Sequence, residues 1–190
     1  MSCSGLNFKL RYHLDYGRSA EYVAVEAEAY SKLLRNLGKL VEVVRASDYV
    51  GKAGIIEGHP SIRFDFLLLD LETGRAVCYV EVTSDRVNDV YAYILSEKLS
   101  KAKLSKYPVW FMYYKKPKRM WRMFSAKYVV THGEVINWLE GEKPYYRVML
   151  SKGWYFANWV RWLKSHVLRM IRDLEHPSMY EKYLEAWVVA

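Results

Sequence analysis

Apolar and polar positions along this chain repeat with two periods, one helical and one strand-like. From Ser19, a residue suited to capping a helix, Val23, Ala27, Tyr30, Leu34 and Leu37 recur at helical spacing, and Gly38 ends the pattern. Leu40 to Arg45 alternates as a strand does, and the stretch holding Gly51, Gly54, Gly58 and Pro60 reads as a loop. Two apolar runs follow, Ile62 to Leu69 and Val77 to Thr83, joined by Asp70-Leu71-Glu72-Thr73-Gly74 into a predicted hairpin. The period turns helical from Val87 to Lys106, and Pro108 opens a further apolar strand over Val109 to Tyr114. Beyond it the pattern predicts a strand over Tyr128 to Thr131 and a short helix over Val135 to Leu139. Longer helices are predicted over Ala157 to Leu174 and Tyr180 to Trp187. No internal repeat and no low-complexity tract interrupts this order.

Two carboxylates break the apolar pattern of the hairpin. Asp65 lies between Phe64 and Phe66, and Glu81 lies between Val80 and Val82. An acid placed so in a sheet is costly unless it faces a partner, a metal or solvent. Two of them in consecutive strands mark a site, or a structural network in which Arg63 and Arg86 are the partners.

Composition narrows the class of partner. The 29 Lys plus Arg against 21 Asp plus Glu leave a net charge of +8, which favours a polyanion, nucleic acid above all. Hydrophobic residues make up 52% of the 190, enough for one good core and too few residues for two comfortable domains. Cys3 and Cys78 are the two cysteines, so neither a disulfide framework nor a zinc cluster is expected, and a reducing cytoplasmic setting fits. No membrane span and no signal peptide is expected from the hydropathy pattern. The absence of Gln, with 17 Tyr and many charged residues, leans toward a thermophilic source.

From Gly17 to Tyr114, about half of the chain, the sequence resembles the restriction-endonuclease-like, or PD-(D/E)xK, nuclease superfamily. Asp65 and, 16 residues later across the hairpin, Glu81 match the family's two strand-borne acids. The opening Gly17-Arg18-Ser19-Ala20-Glu21 resembles the start of archaeal Holliday junction resolvases in that superfamily. The resemblance implies an α/β fold, a restriction-endonuclease-like mixed central sheet flanked by helices, with a C-terminal helical extension. On that division residues 1–150 form the nuclease-like core, and residues 151–190 form the extension packed on the same domain. It further implies a metal-dependent endonuclease that hydrolyses DNA phosphodiester bonds, with Asp65 and Glu81 holding Mg²⁺ or Mn²⁺. The partner is DNA, branched or single-stranded forms included, with no membrane, and the related nucleases that cut two strands pair as homodimers.

One position departs from the pattern. The family's Lys, two residues after the Glu, is Thr83 here, which cannot supply a cation. Some superfamily members carry that Lys on the following helix. On a helix begun at Val87, residues Val87, Tyr91, Ile94 and Lys98 share one stripe, so Lys98 is either the migrated cation or a lysine that snorkels outward. If nothing replaces the Lys, the alternative is a catalytically inactive nuclease-fold protein that binds DNA. For the acid that the first helix contributes, Glu26 flanks the expected buried stripe, whereas Glu21 matches the resolvase-like opening; each is equally readable as a solvated helical acid. Lys115, Lys116, Lys118, Arg119 and Arg122, interleaved with Tyr113, Tyr114 and Trp121, form the expected nucleic-acid-binding surface. The C-terminal helix is expected to bury Trp159, Leu163, Val167, Met170 and Leu174, with Arg161, Lys164 and Arg172 opposite. Trp154, Trp159, Trp162 and Trp187 belong to a core or a dimer interface.

Overall fold

The computed structural model describes residues 20–45, 64–105, 107–137 and 143–173. Ser19, Cys3, Arg63, the loop of Gly51 to Pro60 and the predicted helix over Tyr180 to Trp187 lie outside them.

Helix α1 (Ala20–Leu37) opens the described fold, and strand β1 (Val41–Arg45) follows it. The buried stripe of α1 is Val25, Ala29, Leu33 and Leu37, one residue every four, while Val23 and Leu34 are 49% and 41% exposed. The expected stripe of Val23, Ala27, Tyr30 and Leu34 is therefore corrected. This helix has small apolar residues on both sides, so periodicity alone supports two phases, and packing on the sheet selects one.

Strands β2 (Phe66–Asp70) and β3 (Ala76–Asp85) form the predicted hairpin. Asp70 shapes its turn by accepting bonds from the Thr73 amide at 3.0 Å and the Thr73 hydroxyl at 2.8 Å. Gly74 closes the turn with φ +68°, a conformation open to glycine at little cost. All five residues of β2 are buried, and the apolar run Phe66 to Leu69 is that of a strand covered on both faces.

The chain then departs from the predicted helix over Val87 to Lys106. Tyr91–Leu95 is a strand, β4, and only Ser96–Lys103 is helical, as α2. Tyr91-Ala92-Tyr93-Ile94 pairs with a later strand, β8 (Tyr145–Met149), and that pairing overrides the local period. Strand β5 (Val109–Lys115) lies parallel to β3, and β6 (Met120–Ser125) runs back beside it. The expected strand over Tyr128 to Thr131 is instead helix α3 (Ala126–His132), because the Ser125 side chain accepts the Tyr128 amide and caps it. The expected helix from Val135 is strand β7 (Glu134–Ile136), paired with β8 (Tyr145–Met149).

Strand β9 (Trp154–Tyr155) leads into α4 (Phe156–Trp162), which continues through a π-helical turn, Leu163–Val167, into α5 (Leu168–Arg172). Trp159, Leu163 and Val167 are buried as expected, but Met170 is 43% exposed and Ile171 is buried in its place. The π turn inserts one extra residue and rotates the stripe accordingly.

The main sheet has the order β1-β2-β3-β5-β6-β9, mixed, with β3 and β5 its parallel pair; β4-β8-β7 form a second, antiparallel sheet. Side chains alternate between the faces of the main sheet. Phe66, Val80, Val82, Trp110 and Met112 join α1, α4 and α5 in one core, and Trp159 is fully buried there beside Trp110, ring centroids 5.9 Å apart. Phe111, Tyr113 and Phe124 face the other way, onto α2, α3 and the second sheet.

Candidate active site

The hairpin register sets the two acids side by side. Phe66, the first residue of β2, pairs with Val80, so Asp65, just before β2, lies beside Glu81. The Asp65 amide donates to Glu81 Oε2 at 3.3 Å, and the Val82 amide donates to Asp65 Oδ2 at 2.8 Å. Asp65 is 3% exposed.

Lys98 completes the group from α2. Its Nζ is 2.8 Å from Glu81 Oε1 and donates to the Val82 carbonyl at 2.9 Å. Val87 to Leu95 is not helical, so Lys98 shares no helical stripe with Val87, Tyr91 and Ile94; the short helix nonetheless brings its amine to Glu81. Thr83, where the resemblance places a lysine, is 8% exposed and lies in the β3 ladder opposite Tyr113. Burial pushes the Glu81 carboxyl up to about 7; the positive charge of Lys98 opposes the rise, and the nearby Asp65 adds to it.

Tyr22 belongs to the same cluster and was not anticipated. Its hydroxyl lies 3.0 Å from Asp65 Oδ2 and 3.2 Å from the Val82 carbonyl. The signal for it was the phase of α1: with Val25 buried, residues 21 and 22 precede it by four and three and lie over the sheet. Glu21 accordingly reaches Lys116 Nζ at 2.6 Å and Arg86 Nε at 3.1 Å, with Arg86 Nη2 on its other oxygen. Hydrogen bonds from Lys116 first and Arg86 second hold the Glu21 carboxyl below its usual range. Arg86 thus pairs with Glu21, where a structural network with the acid pair had been the bland expectation. Glu28, on the same side, accepts the indole of Trp121 at 3.0 Å. Glu26 lines a groove of about 170 Å³ with Val23, Ala27, Tyr30, Arg45 and Phe66.

The expected basic surface is divided. Lys115 is fully buried: its ammonium meets Asp85 at 3.0 Å, Asp89 at 2.8 Å and the Tyr91 carbonyl at 2.7 Å, which uses its three donors. Arg122 is 5% exposed, with its guanidinium 3.7 Å from the centre of the Tyr155 ring. Both are corrected from surface cations to interior ones, because alternation in β5 and β6 turns them inward. Lys116 pairs with Glu21, and Lys118 and Arg119 remain exposed in the turn between β5 and β6. Arg172, expected on a solvated face, pairs with the fully buried Asp70 at 2.7 Å and with Glu72 at 2.9 Å.

Among the described residues no three His, Cys, Asp or Glu side chains gather into one metal cage. The oxygens that do come together are the Asp65 and Glu81 carboxylates and the Val82 carbonyl. Tyr22 links the first to the third and Lys98 links the second to the third. These are hard donors of the kind that suit Mg²⁺ or Mn²⁺. Among the described residues no helix is long and apolar enough to cross a membrane.

No family model matches the sequence, and no curated protein matches it. The structure is similar to that of a nuclease from a fusselovirus, with a TM-score of 0.51 and 17% identity over 88% of this chain and 94% of that one. It is also similar, at a TM-score of 0.44 and 12% identity over 75% of this chain and 97% of that one, to a Holliday junction resolvase from the archaeal hyperthermophile Archaeoglobus fulgidus. The mixed six-stranded sheet, with helices on both faces, thus shares its fold with that viral protein.

Proposed function

We propose that this protein is a metal-dependent endonuclease that hydrolyses DNA phosphodiester bonds at Asp65, Glu81 and Lys98. The observation that carries the reading is the contact of Lys98 Nζ with Glu81 Oε1 at 2.8 Å, which returns to the acid pair the cation that Thr83 cannot provide. Asp65, Glu81 and the Val82 carbonyl would hold Mg²⁺ or Mn²⁺, which would activate water and neutralise charge on the phosphate. The chain's own residues do the remaining work. Val82 N–H and Tyr22 hold the Asp65 carboxylate in one orientation. Lys98, 21% exposed and on the rim of the pair, stabilises negative charge developing on the phosphate oxygens. The net charge of +8 favours the approach of a polyanion.

The test is cleavage of linear, branched and single-stranded DNA with Mg²⁺ or Mn²⁺, beside Asp65→Ala, Glu81→Ala and Lys98→Met. The acid variants are expected to abolish cleavage, and Lys98→Met to slow it by about 10² to 10³. Cleavage that survives both acid substitutions would refute the reading. Thr83 favours a second reading, DNA binding on this fold without hydrolysis. Calorimetry separates the two, because carboxylate-dependent Mn²⁺ binding belongs to the first alone.

A further inference from the structure

Glu21 is the acid that the resolvase-like opening singles out, yet both its oxygens are held by cations. Arg86 follows directly after β3 and Lys116 directly after β5, and the parallel register pairs Asp85 with Lys115. Arg86 and Lys116 therefore leave the sheet at the same level, beyond the carboxyl ends of its parallel strands, where open α/β sheets place their ligands. Arg86 grips Glu21 with Nε and Nη2 on separate oxygens, a fork that fits a phosphate as well as a carboxylate. Lys116 Nζ adds a third donor at 2.6 Å. The next residue of α1, Tyr22, bonds Asp65, so this cluster adjoins the acid pair. Arg86 is 65% exposed and Glu21 37%, so solvent and ligand reach them, and so exposed a pair contributes little to folding.

We infer that Arg86 and Lys116 form a phosphate clamp for a DNA strand running past the acid pair, and that Glu21 fills it as a carboxylate stand-in which a DNA phosphate displaces. The inference deepens the nuclease reading and rests on it for the identity of the polyanion. Glu21 then restrains DNA binding and holds no metal. Lys118 and Arg119, exposed in the adjoining turn, extend the same positive edge.

The experiment measures binding of labelled duplex and four-way junction DNA in EDTA, where no cleavage takes place, as a function of salt. Glu21→Gln is expected to tighten binding about three- to fivefold by removing the competing carboxylate. The Arg86→Ala, Lys116→Ala double variant is expected to weaken binding and to make the slope of log K against log salt shallower by about 2, one phosphate for each cation. Adding Glu21→Gln to that double variant is expected to change nothing further. Unchanged or weaker binding in Glu21→Gln overturns the inference, as does an unchanged salt slope in the double variant. Should the double variant fail to fold, Arg86→Ala alone is read in its place, with a slope change of about 1. Cleavage in Mn²⁺, measured separately with Asp65→Ala and Glu81→Ala, reports on the nuclease reading alone, so each idea fails on its own evidence.

Discussion

Replacing Lys98 by Met removes the ammonium and keeps a stem of similar length, which isolates the charge from the packing. The native amine bonds Glu81 Oε1 at 2.8 Å and the Val82 carbonyl at 2.9 Å, and the Lys98 and Glu81 side chains are 21% and 12% exposed. Glu81 rises in the folded protein from its ordinary 4.5 to about 7. The folded state therefore binds this proton more tightly than the unfolded chain, and stability falls as pH climbs between those two values. At roughly 1.4 kcal/mol per tenfold, the whole fall amounts to about 3 kcal/mol. Without Lys98 only the bond from the Asp65 amide still opposes the effect of burial, so the Glu81 value moves higher and the fall continues past neutrality. Near pH 5 Glu81 carries its proton in both proteins, and the variant should lose the bonds to Val82 and to an uncharged carboxyl, together about 1 to 2 kcal/mol. Near pH 9 the wild type retains a paired carboxylate and the variant an unpaired one, and the loss should approach about 3 kcal/mol, the low end for breaking a buried pair. Urea unfolding of both proteins across this range in metal-free buffer measures the difference. A loss that stays constant with pH, or is larger in acid, refutes the account of Glu81 given above.

Three further outcomes test the frame around the site. Burial works against ionisation of Asp70, but bonds from Arg172 and Thr73 outweigh it and hold that carboxyl below its usual range. Its stabilisation is thus present above the ordinary carboxylate value and lost as pH falls through the lower folded-state value. Arg172→Ala should cost about 2 to 3 kcal/mol at neutral pH and much less near pH 2, and urea midpoints that differ equally at both would contradict this. Trp159→Ala empties the middle of the larger core and should cost about 3 to 5 kcal/mol by the same assay, a loss below 1 kcal/mol showing that α4 is not docked as described. At Gly153 an added Cβ would lie 2.5 Å from Phe124 Cζ, so Gly153→Ala should cost about 1 to 3 kcal/mol from crowding, with a lower melting temperature as the readout.

Much of the fold could be read before any coordinates, and the failures have particular causes. The hairpin that carries Asp65 and Glu81 was legible because two apolar runs bracket turn residues and each holds one acid that packing alone does not explain. Strands β1 and β5 were legible for similar reasons. The helix predicted from Val87 was wrong because Tyr91 to Leu95 gains its partner, β8, some 50 residues later, and no window of local sequence contains that pairing. The stretch from Tyr128 was misread because the cap at Ser125 acts three residues before the apolar run. In α1 the apolar residues supported two phases, and the wrong one hid Tyr22 and made Glu26 look better placed than Glu21.

The chemistry divides along the same line. Residue order by itself determined that an Asp and a Glu would share the hairpin and that excess positive charge would favour a polyanion, and the resemblance marked Thr83 as standing where a lysine is expected. These are local matters of spacing and composition, which survive any error in phase. Only the tertiary structure decided which charges meet. It seated Lys98 on Glu81 from a helix shorter than the pattern implied, turned Lys115 and Arg122 into the interior, and put Arg86 and Lys116 on Glu21. A side chain's partner depends on the rotation of its element and on the strand that lies beside it, and both are set by packing across the whole sheet.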